Sequence, residues 1–376
     1  MNIFTLTMTP INPPYDDAAK NIMVGVAKRL QGERFLFVSS FFGRSFEKEK
    51  NIEFFRSPFQ KTGRHKMSRL QKVYVAACIL FNLKKIDLLQ FFITPQPYFS
   101  DFFSKLVKKT GKKSIQIVPS IYTLQKKNKE EDIPGLFFGD HVIVYSDYSK
   151  DRLEKMGVRN VTRIYPGIDV EKFSEASEEP SGEAFKVVYP GTYKALSNSY
   201  SFEKFCAIAR KVIDEVGNVQ FVMACRLRTK EDISLENGFK AVAERTGVLG
   251  NFTFLNTVED MPSLFRGCDV GVMPIQRSTE GVLEIPMVLP EMASSGKPVV
   301  YGNVPPMNEL SDKSLGIMVS NHSPEAYADK ITQLLKDKET SRSIGKKSRE
   351  AVVKYFNVND MIDKYGELYR SLEECR

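Results

Sequence analysis

Short runs of β-branched and aromatic residues alternate along the chain with longer stretches of helical periodicity. In the first part of the chain, the short apolar runs predict strands at 2–8, 34–40, 86–93, 114–122 and 141–146. The periodic stretches predict helices at 16–31, 67–84, 98–110 and 147–157. This alternation is typical of a mostly parallel sheet that helices cover on both faces.

An acidic segment with few apolar residues, 171–184, interrupts the pattern and is the best linker candidate. After it the alternation restarts, with strands predicted at 186–191, 219–225, 252–255, 270–275, 298–302 and 316–320. Helices are predicted near 200–216, 231–246 and 259–267, and the end of the chain predicts helices alone, at about 323–336, 338–355 and 358–374.

The pattern therefore predicts the α/β fold class, with two doubly wound, Rossmann-like domains that face each other across a cleft. We expect an N-terminal domain at 1–170, the linker, a C-terminal domain at 185–355, and a helix at 356–376 that packs back onto the first domain. A cleft between the carboxyl ends of two such sheets is a common place for a ligand, but it does not by itself name a reaction.

The length and composition agree with two globular domains. The chain has 376 residues, of which 42 % are hydrophobic and 27 % charged. Its five cysteines form no CxxC pair, which favours a reducing compartment and argues against a zinc knuckle. The sequence shows no signal peptide and no apolar run long enough to span a membrane, so we expect a cytoplasmic protein.

Positive charge is concentrated in the first third of the chain. Residues 1–130 contain 23 Lys and Arg against 9 Asp and Glu, a net charge of +14, whereas the remainder carries −6. The stretch 57–113 combines many of these cations with apolar helices, and 99–113 is a basic amphipathic segment. An anionic membrane surface, with peripheral association, is one interpretation. A crossover helix with its phenylalanines in the core is the commoner one, and no nucleic-acid-binding motif is present.

The most informative motif lies at 280–300, where a predicted strand is followed by a loop and a short helix that contains Glu291. Backbone N–H groups at such a helix start can hold a diphosphate. A carboxylate one turn into the helix can accept hydrogen bonds from two ribose hydroxyls. Alternatively, Glu291 only complements the helix N-terminus.

Three segments, in the same order, resemble GT-B glycosyltransferases of family 4, the group 1 type. The run PMVLPEMASSGKPVV (286–300) is similar to their donor-site segment. Residues 140–173, which include Pro166 to Asp169 and Phe173, resemble the segment that joins their two domains. Residues 251–275 resemble the strand, turn, helix and strand that precede the donor loop. The likeness extends over about 140–355 and is poor before residue 130.

The resemblance implies a retaining hexosyltransferase. No Asp-x-Asp metal motif occurs in the sequence, so we expect no metal and no other cofactor. The enzyme would move a sugar from a UDP- or GDP-type nucleotide-sugar donor, bound by the second domain, to a glycan or lipid-linked acceptor. In that family two glutamates contact the donor, and Glu291 matches the one at the ribose. The other position falls on Leu283, one residue before Glu284, which we take as the sugar contact. The remaining donor-binding candidates are backbone groups of Pro286, Met287 and Val288, cations Lys194 and Arg226, and turn residues Thr257 and Val258.

The first domain departs most from the family. Asp16 and Asp17 either cap a helix or contact the acceptor or the sugar, which makes them candidates for catalysis together with Glu284. The family's glycine pair, its histidine after the strand at 114–122 and its arginine after Gly191 are absent. Two alternatives therefore stay open: a non-catalytic subunit that binds nucleotide sugars, and a nucleotide-sugar epimerase of the same fold.

Overall fold

A computed structural model describes residues 1–7, 18–39, 49–56, 68–93, 95–174, 184–277 and 284–374. The chain divides into two compact units, the first comprising Met1–Gly167 with Asn359–Arg376, and the second Ile168–Val358. Most of the predicted linker, and both Asp16 and Asp17, lie outside the described residues. Among the described helices, none combines the length and the apolar character that crossing a membrane requires.

The first unit is built on a parallel sheet of seven strands in the order β3-β2-β1-β4-β5-β6-β7. The strands are β1 Asn2–Thr7, β2 Arg34–Ser39, β3 Ile52–Arg56, β4 Leu88–Phe92, β5 Lys113–Val118, β6 His141–Val144 and β7 Val161–Arg163. The helices are α1 Ala18–Arg29, α2 Arg69–Phe81, α3 Pro97–Thr110, α4 Tyr122–Lys127 and α5 Asp147–Lys155, with short 3₁₀ turns at Glu130–Asp132 and Pro134–Leu136.

Helices α2 and α3 pack on one face of this sheet. The central strands β1 and β4 are almost entirely buried, which explains why their sequences are mostly apolar on both faces. Phe99 and Phe103 of α3 are buried against Phe91 of the sheet, so this side of the basic amphipathic segment belongs to the core. Strand β3 was not predicted from the sequence: it is a short edge strand, and Glu53, which bonds Arg34 on β2, hides its apolar pattern.

The last helix, α14, spans Val358–Glu374 and belongs almost wholly to the first unit. Its Tyr369 is completely buried, and the phenol donates a 2.5 Å hydrogen bond to the Gln90 side chain on β4. The same ring meets Phe35 of β2 edge-on at 6.4 Å. Residues far apart in sequence thus share one core.

The second unit holds a parallel sheet of six strands in the order β10-β9-β8-β11-β12-β13. The strands are β8 Phe185–Tyr189, β9 Val219–Ala224, β10 Phe252–Leu255, β11 Val270–Met273, β12 Val299–Gly302 and β13 Ile317–Val319. The helices are α6 Tyr193–Ser199, α7 Phe202–Val216, α8 Lys230–Arg245, α9 Met261–Arg266, α10 Val288–Ser294, α11 Glu309–Asp312, α12 Pro324–Lys336 and α13 Lys338–Tyr355, with a 3₁₀ turn at Leu249–Asn251.

The predicted α/β class, with two doubly wound parallel sheets, is confirmed. Since all strands of the second sheet run in one direction, the loops after β8, β9, β10 and β11 leave the sheet at the same edge. The region predicted as one helix near 200–216 contains α7, and a separate helix, α6, precedes it. The hydroxyl of Thr192 caps α6 by accepting a hydrogen bond from the Ala195 amide.

Candidate functional site

The donor-binding candidates of the second unit lie at the carboxyl edge of its sheet. Lys194 stands in α6 just after β8, Arg226 follows β9, and Thr257 and Val258 follow β10. The segment from Glu284 to Glu291 comprises the end of the long connection after β11 and the start of α10. Strands β9, β8 and β11 are neighbours in this order, so the fold brings together residues that are up to about a hundred positions apart in sequence.

The loops after β9 and β10 are tied to each other. The Cys225 amide donates to the Leu255 carbonyl, and the Leu227 amide donates a 2.8 Å hydrogen bond to Asn256 Oδ1. The half-buried Arg226 lies between these two bonds in sequence, and its Nη1 atom is buried. The backbone of Arg226 is therefore held beside the turn that carries Thr257, which is exposed. Asn256 was missed from the sequence, where an asparagine after a strand indicates only a turn.

The loop after β8 turns closely around an aromatic ring. A Cβ at Gly191 would lie 2.5 Å from the Tyr189 ring, so this position accepts only glycine without rearrangement. The phenol of Tyr189 donates to the Thr192 carbonyl, which fixes the start of α6. Lys194 in α6 forms an ion pair with Glu231 of α8 at 3.2 Å, and both side chains are largely exposed. An exposed pair of this kind is weak enough for an anionic ligand to compete with Glu231.

Packing beneath α10 fixes the position of the donor-loop helix. Met292 is fully buried and lies over Gly271 of β11, where a Cβ would come within 1.8 Å of its sulfur. At the other end of the helix, the Arg349 side chain bonds the Ser294 carbonyl. The helix that carries Glu291 is thus held in place by the core rather than by the loop before it.

The first turn of α10 narrows the choice of backbone donors. The Pro286 and Met287 carbonyls accept hydrogen bonds from the Leu289 and Glu291 amides, both at 3.0 Å. Pro286 has no N–H group, so it cannot donate to an anion. Of the three backbone candidates, Met287 and Val288 are the two whose N–H groups stand at the helix start, where helical geometry offers them no acceptor.

Glu291 is half-buried on α10, and burial raises the pKa of its carboxyl to about 7. The positive charge of Lys172 opposes this shift in pKa. Glu291 therefore changes charge near neutral pH, whereas an exposed glutamate would be ionised throughout that range. Lys172 follows the Pro166 to Asp169 motif, and its effect on Glu291 was not predicted. Glu284 is also half-buried, with its Oε2 atom buried.

The described residues contain no group of three or more His, Cys, Asp and Glu side chains arranged to hold a metal ion. Of the histidines, His141 bonds Thr162 on the neighbouring strand of the first sheet, so it has a structural partner. His322 follows β13 in the second unit, and burial lowers its pKa.

Comparison with known proteins identifies the unit that carries these residues. Residues 184–337 match the sequence model of the family described as Glycosyl transferases group 1. The match covers 154 of the 376 residues and lies within the second unit, which we therefore call the group 1 unit. Every donor-binding candidate of the group 1 unit, from Lys194 to Glu291, lies inside the matched range.

Curated relatives align with only part of this chain. The D-inositol 3-phosphate glycosyltransferase of Paenarthrobacter aurescens is 26 % identical over 191 residues, which are 48 % of this chain and 44 % of that protein. The chain thus spans less than half the length of this relative in the alignment.

Solved structures match the whole chain in fold. Anabaena Alr3699/HepE in complex with UDP has a TM-score of 0.77 at 15 % identity and covers 99 % of this chain and 100 % of its own. The same protein in complex with UDP-glucose has a TM-score of 0.74 at 16 % identity, again over 99 % of this chain and 100 % of its own. A glycosyltransferase from Rickettsia africae has a TM-score of 0.76 at 16 % identity and covers 99 % of this chain and 98 % of its own. The chain therefore has the GT-B glycosyltransferase fold, with the group 1 unit as its second part.

Proposed function

We propose that the chain is a retaining glycosyltransferase that binds a nucleotide-sugar donor at the carboxyl edge of its second sheet. The observation that carries the proposal is the convergence there of Lys194 after β8, Arg226 after β9, and the α10 N–H groups with Glu291 after β11. This edge combines cations and backbone donors for a diphosphate with a carboxylate for hydroxyl groups, as a sugar nucleotide requires.

Each group has a separate role in the proposal. Arg226, Lys194 and the N–H groups of Met287 and Val288 stabilise the nucleoside diphosphate as it leaves, because negative charge develops on its phosphate oxygen in the transition state. Glu291 accepts hydrogen bonds from the ribose, and Glu284 from the transferred sugar. The base packs against the backbone at Thr257 and Val258.

These cations supply the charge that a divalent ion would otherwise provide, so we propose transfer that needs no metal. Addition of a chelator should then leave the rate unchanged. A rate that falls in the chelator and is restored by Mg²⁺ or Mn²⁺ would overturn this part of the proposal.

A UDP sugar is the preferred donor over a GDP sugar. Its support is the Anabaena structure, which matches the chain over its full length and holds UDP or UDP-glucose. We propose a glycan or lipid-linked acceptor, reached at the inner, cytoplasmic face of a membrane, since the first unit carries the excess of positive charge.

Calorimetric titration with UDP-glucose, UDP-galactose, GDP-mannose and GDP-glucose tests the donor site. We expect binding of one UDP sugar, and a loss of about tenfold or more in affinity in Glu291→Ala, because two hydrogen bonds to a charged group disappear. Glu244→Ala, an exposed glutamate at the end of α8, is the matched control. Undiminished affinity in Glu291→Ala would contradict the site.

Proton NMR of the product tests the transfer itself. With an α-linked donor, we expect an α-linked product. Tight donor binding without transfer or hydrolysis would favour the non-catalytic subunit, and release of nucleotide or sugar isomerisation without any acceptor would favour the epimerase.

A further inference from the structure

Helix α2 of the first unit carries an exposed apolar stripe. Leu70 and Val73 are both 63 % exposed, Leu80 is 43 % exposed, and Phe81 at the end of the helix is 89 % exposed. These positions recur at helical spacing, so they lie along one side of α2 over a length of roughly 16 Å. Large apolar side chains grouped in this way on a surface indicate contact with another apolar phase.

The stripe takes no part in the core that the described residues of the first unit form. The opposite side of α2, with Val75, Cys78 and Ile79, already fills the space between the helix and the sheet. Helix α2 is therefore apolar on two sides, and only one of them is explained by folding.

Lys72 fixes α2 against α3 beside this stripe. Its ammonium donates a 2.6 Å hydrogen bond to the Tyr98 carbonyl and lies 3.1 Å above the centre of the Tyr98 ring. Phe102 is a further aromatic neighbour, at 5.2 Å. These contacts fix α2 and α3 relative to each other, on the two sides of a groove. Val73, Ala76, Phe102 and Leu106 are among the residues that line the groove.

Cations surround the stripe and the groove. Residues 68–113 contain nine Lys and Arg but only two Asp and Glu. Arg69, Lys105 and Lys109 line the groove itself. Its single acidic residue, Asp101, pairs with Lys105 at 2.9 Å. An apolar centre with a basic border complements a surface that is apolar inside and anionic at its boundary.

We propose that α2 and α3 form a surface that binds an anionic lipid bilayer. On binding, the side chains of Leu70, Val73 and Phe81 insert below the lipid headgroups. Arg69 of α2 and the exposed lysines of α3 extend to the lipid phosphates, since their methylene stems allow the charged groups to stay at the polar boundary. This inference rests on the proposed function only for the purpose of membrane binding, which is access to a lipid-linked acceptor. Membrane binding itself needs no nucleotide-sugar donor.

The shape of the surface favours a bilayer over a protein helix. Phe81 and Leu70 protrude from α2 and are not part of the groove lining, whereas a docked helix would place its anchors in the groove. A second copy of the chain would bring the same cations against each other, because a two-fold interface pairs a patch with itself.

The chain contains no tryptophan, so Phe81→Trp introduces a single fluorescent reporter on the stripe. Vesicles of phosphatidylcholine with about 30 % phosphatidylglycerol serve as the probe. We expect a blue shift of the emission and quenching by brominated acyl chains. Val353→Trp is the matched control. Val353 is an exposed apolar residue on α13 of the second unit, and a lysine, Lys354, is next to it in sequence. The emission of Val353→Trp should not shift.

Sedimentation with the same vesicles separates the two components. The triple variant Leu70→Gln, Val73→Gln, Phe81→Gln should bind at least about tenfold more weakly, because three apolar side chains no longer enter the bilayer. Lys105→Gln with Lys109→Gln should weaken binding about twentyfold at low salt, at roughly fivefold per cation, and much less at about 0.5 M salt. Lys346→Gln with Lys354→Gln, on α13, is the control.

Three outcomes would overturn the proposal: an unshifted Phe81→Trp spectrum with all vesicles, equal binding to pure phosphatidylcholine, or a dimer in light scattering that the triple glutamine variant converts to a monomer. The last would assign the stripe to a second copy. UDP-glucose titration of the same variants keeps the two proposals apart, since the lipid-surface variants should bind the donor normally whatever the vesicles show.

Discussion

The backbone amide of Leu227 donates a hydrogen bond of 2.8 Å to Oδ1 of Asn256, and this bond joins the loops after β9 and β10. Arg226 immediately precedes Leu227, and Thr257 immediately follows Asn256. In Asn256→Ala we expect the free energy of unfolding to fall by about 1 kcal/mol, because one partly exposed hydrogen bond is lost. UDP-glucose affinity should fall severalfold, since the two sides of the nucleotide site are no longer held together.

Thr253→Ala is the control for this variant. Thr253 lies on β10, the strand that Asn256 follows, and its hydroxyl donates a long hydrogen bond of 3.4 Å to the Gln220 side chain on β9. It should change neither quantity measurably. If Asn256→Ala is less stable but binds UDP-glucose as well as the wild type, the link between these loops has no part in donor binding.

The raised pKa of Glu291 predicts a dependence of stability on pH. The carboxyl titrates near pH 7 in the folded chain and near its ordinary value of 4.5 in the unfolded chain. The protonated form is therefore favoured by folding, so its contribution is complete below pH 4.5 and is lost as the pH rises through 7. Because the side chain is only half-buried, we expect a loss of about 2 kcal/mol at most.

Urea unfolding of wild type and Glu291→Gln at several pH values between 5 and 8 measures this contribution. The difference in stability between the two proteins should move steadily in favour of the glutamine variant as the pH rises. A constant difference over this range would contradict the raised pKa.

Donor binding should have the opposite dependence on pH in this range. The ionised Glu291 carboxylate is a stronger hydrogen-bond acceptor for ribose hydroxyls than the protonated acid, so affinity for UDP-glucose should increase severalfold from about pH 6 to pH 8. UDP-glucose is a better probe than UDP, because its diphosphate diester does not titrate near neutral pH. Glu291→Gln should bind weakly, with no slope in this range.

The Lys194–Glu231 ion pair predicts two effects of opposite sign. Lys194→Gln should lower UDP-glucose affinity about fivefold or more, since one cation for the diphosphate is lost. Glu231→Gln should raise it by a smaller factor, because Lys194 no longer has to exchange a carboxylate for a phosphate. Both variants should keep the wild-type melting temperature within a degree or two, since the pair is exposed. Weaker binding in Glu231→Gln would contradict competition for Lys194.

The sheets of this chain are predictable from sequence because their strands are buried on both faces. Strands β1, β4 and β11 are mostly apolar, and such runs, separated by amphipathic helices, leave few alternatives. Edge strand β3 escaped prediction because one of its faces is free to carry charge, as Glu53 does. The local sequence pattern therefore identifies buried strands and misses edge strands, which can carry charged residues.

The candidate site was predictable where it depends on a local motif. Glu291 and the start of α10 belong to one contiguous segment, which the sequence shows directly. The Glu231 partner of Lys194 lies 37 residues away, and the charge of Lys172 acts on Glu291 from more than a hundred residues away. Such relationships depend on how strands are ordered in the sheet, which no short window of sequence contains.

Gly271 and Met292 connect the core of the second unit to the donor loop. A Cβ on Gly271 would lie 1.8 Å from the Met292 sulfur and 3.1 Å from Val299, and both neighbours are fully buried. In Gly271→Ala we therefore expect a loss of about 1–3 kcal/mol in stability from overpacking. Since Met292 follows Glu291 on α10, the shift should also weaken UDP-glucose binding. Gly250→Ala, where a Cβ would meet nothing within 4 Å, is the control.

Adding Met292→Ala to Gly271→Ala should restore part of the stability, because the smaller side chain makes room for the methyl group. Two losses that simply add, measured by urea unfolding, would show that the contact does not place α10.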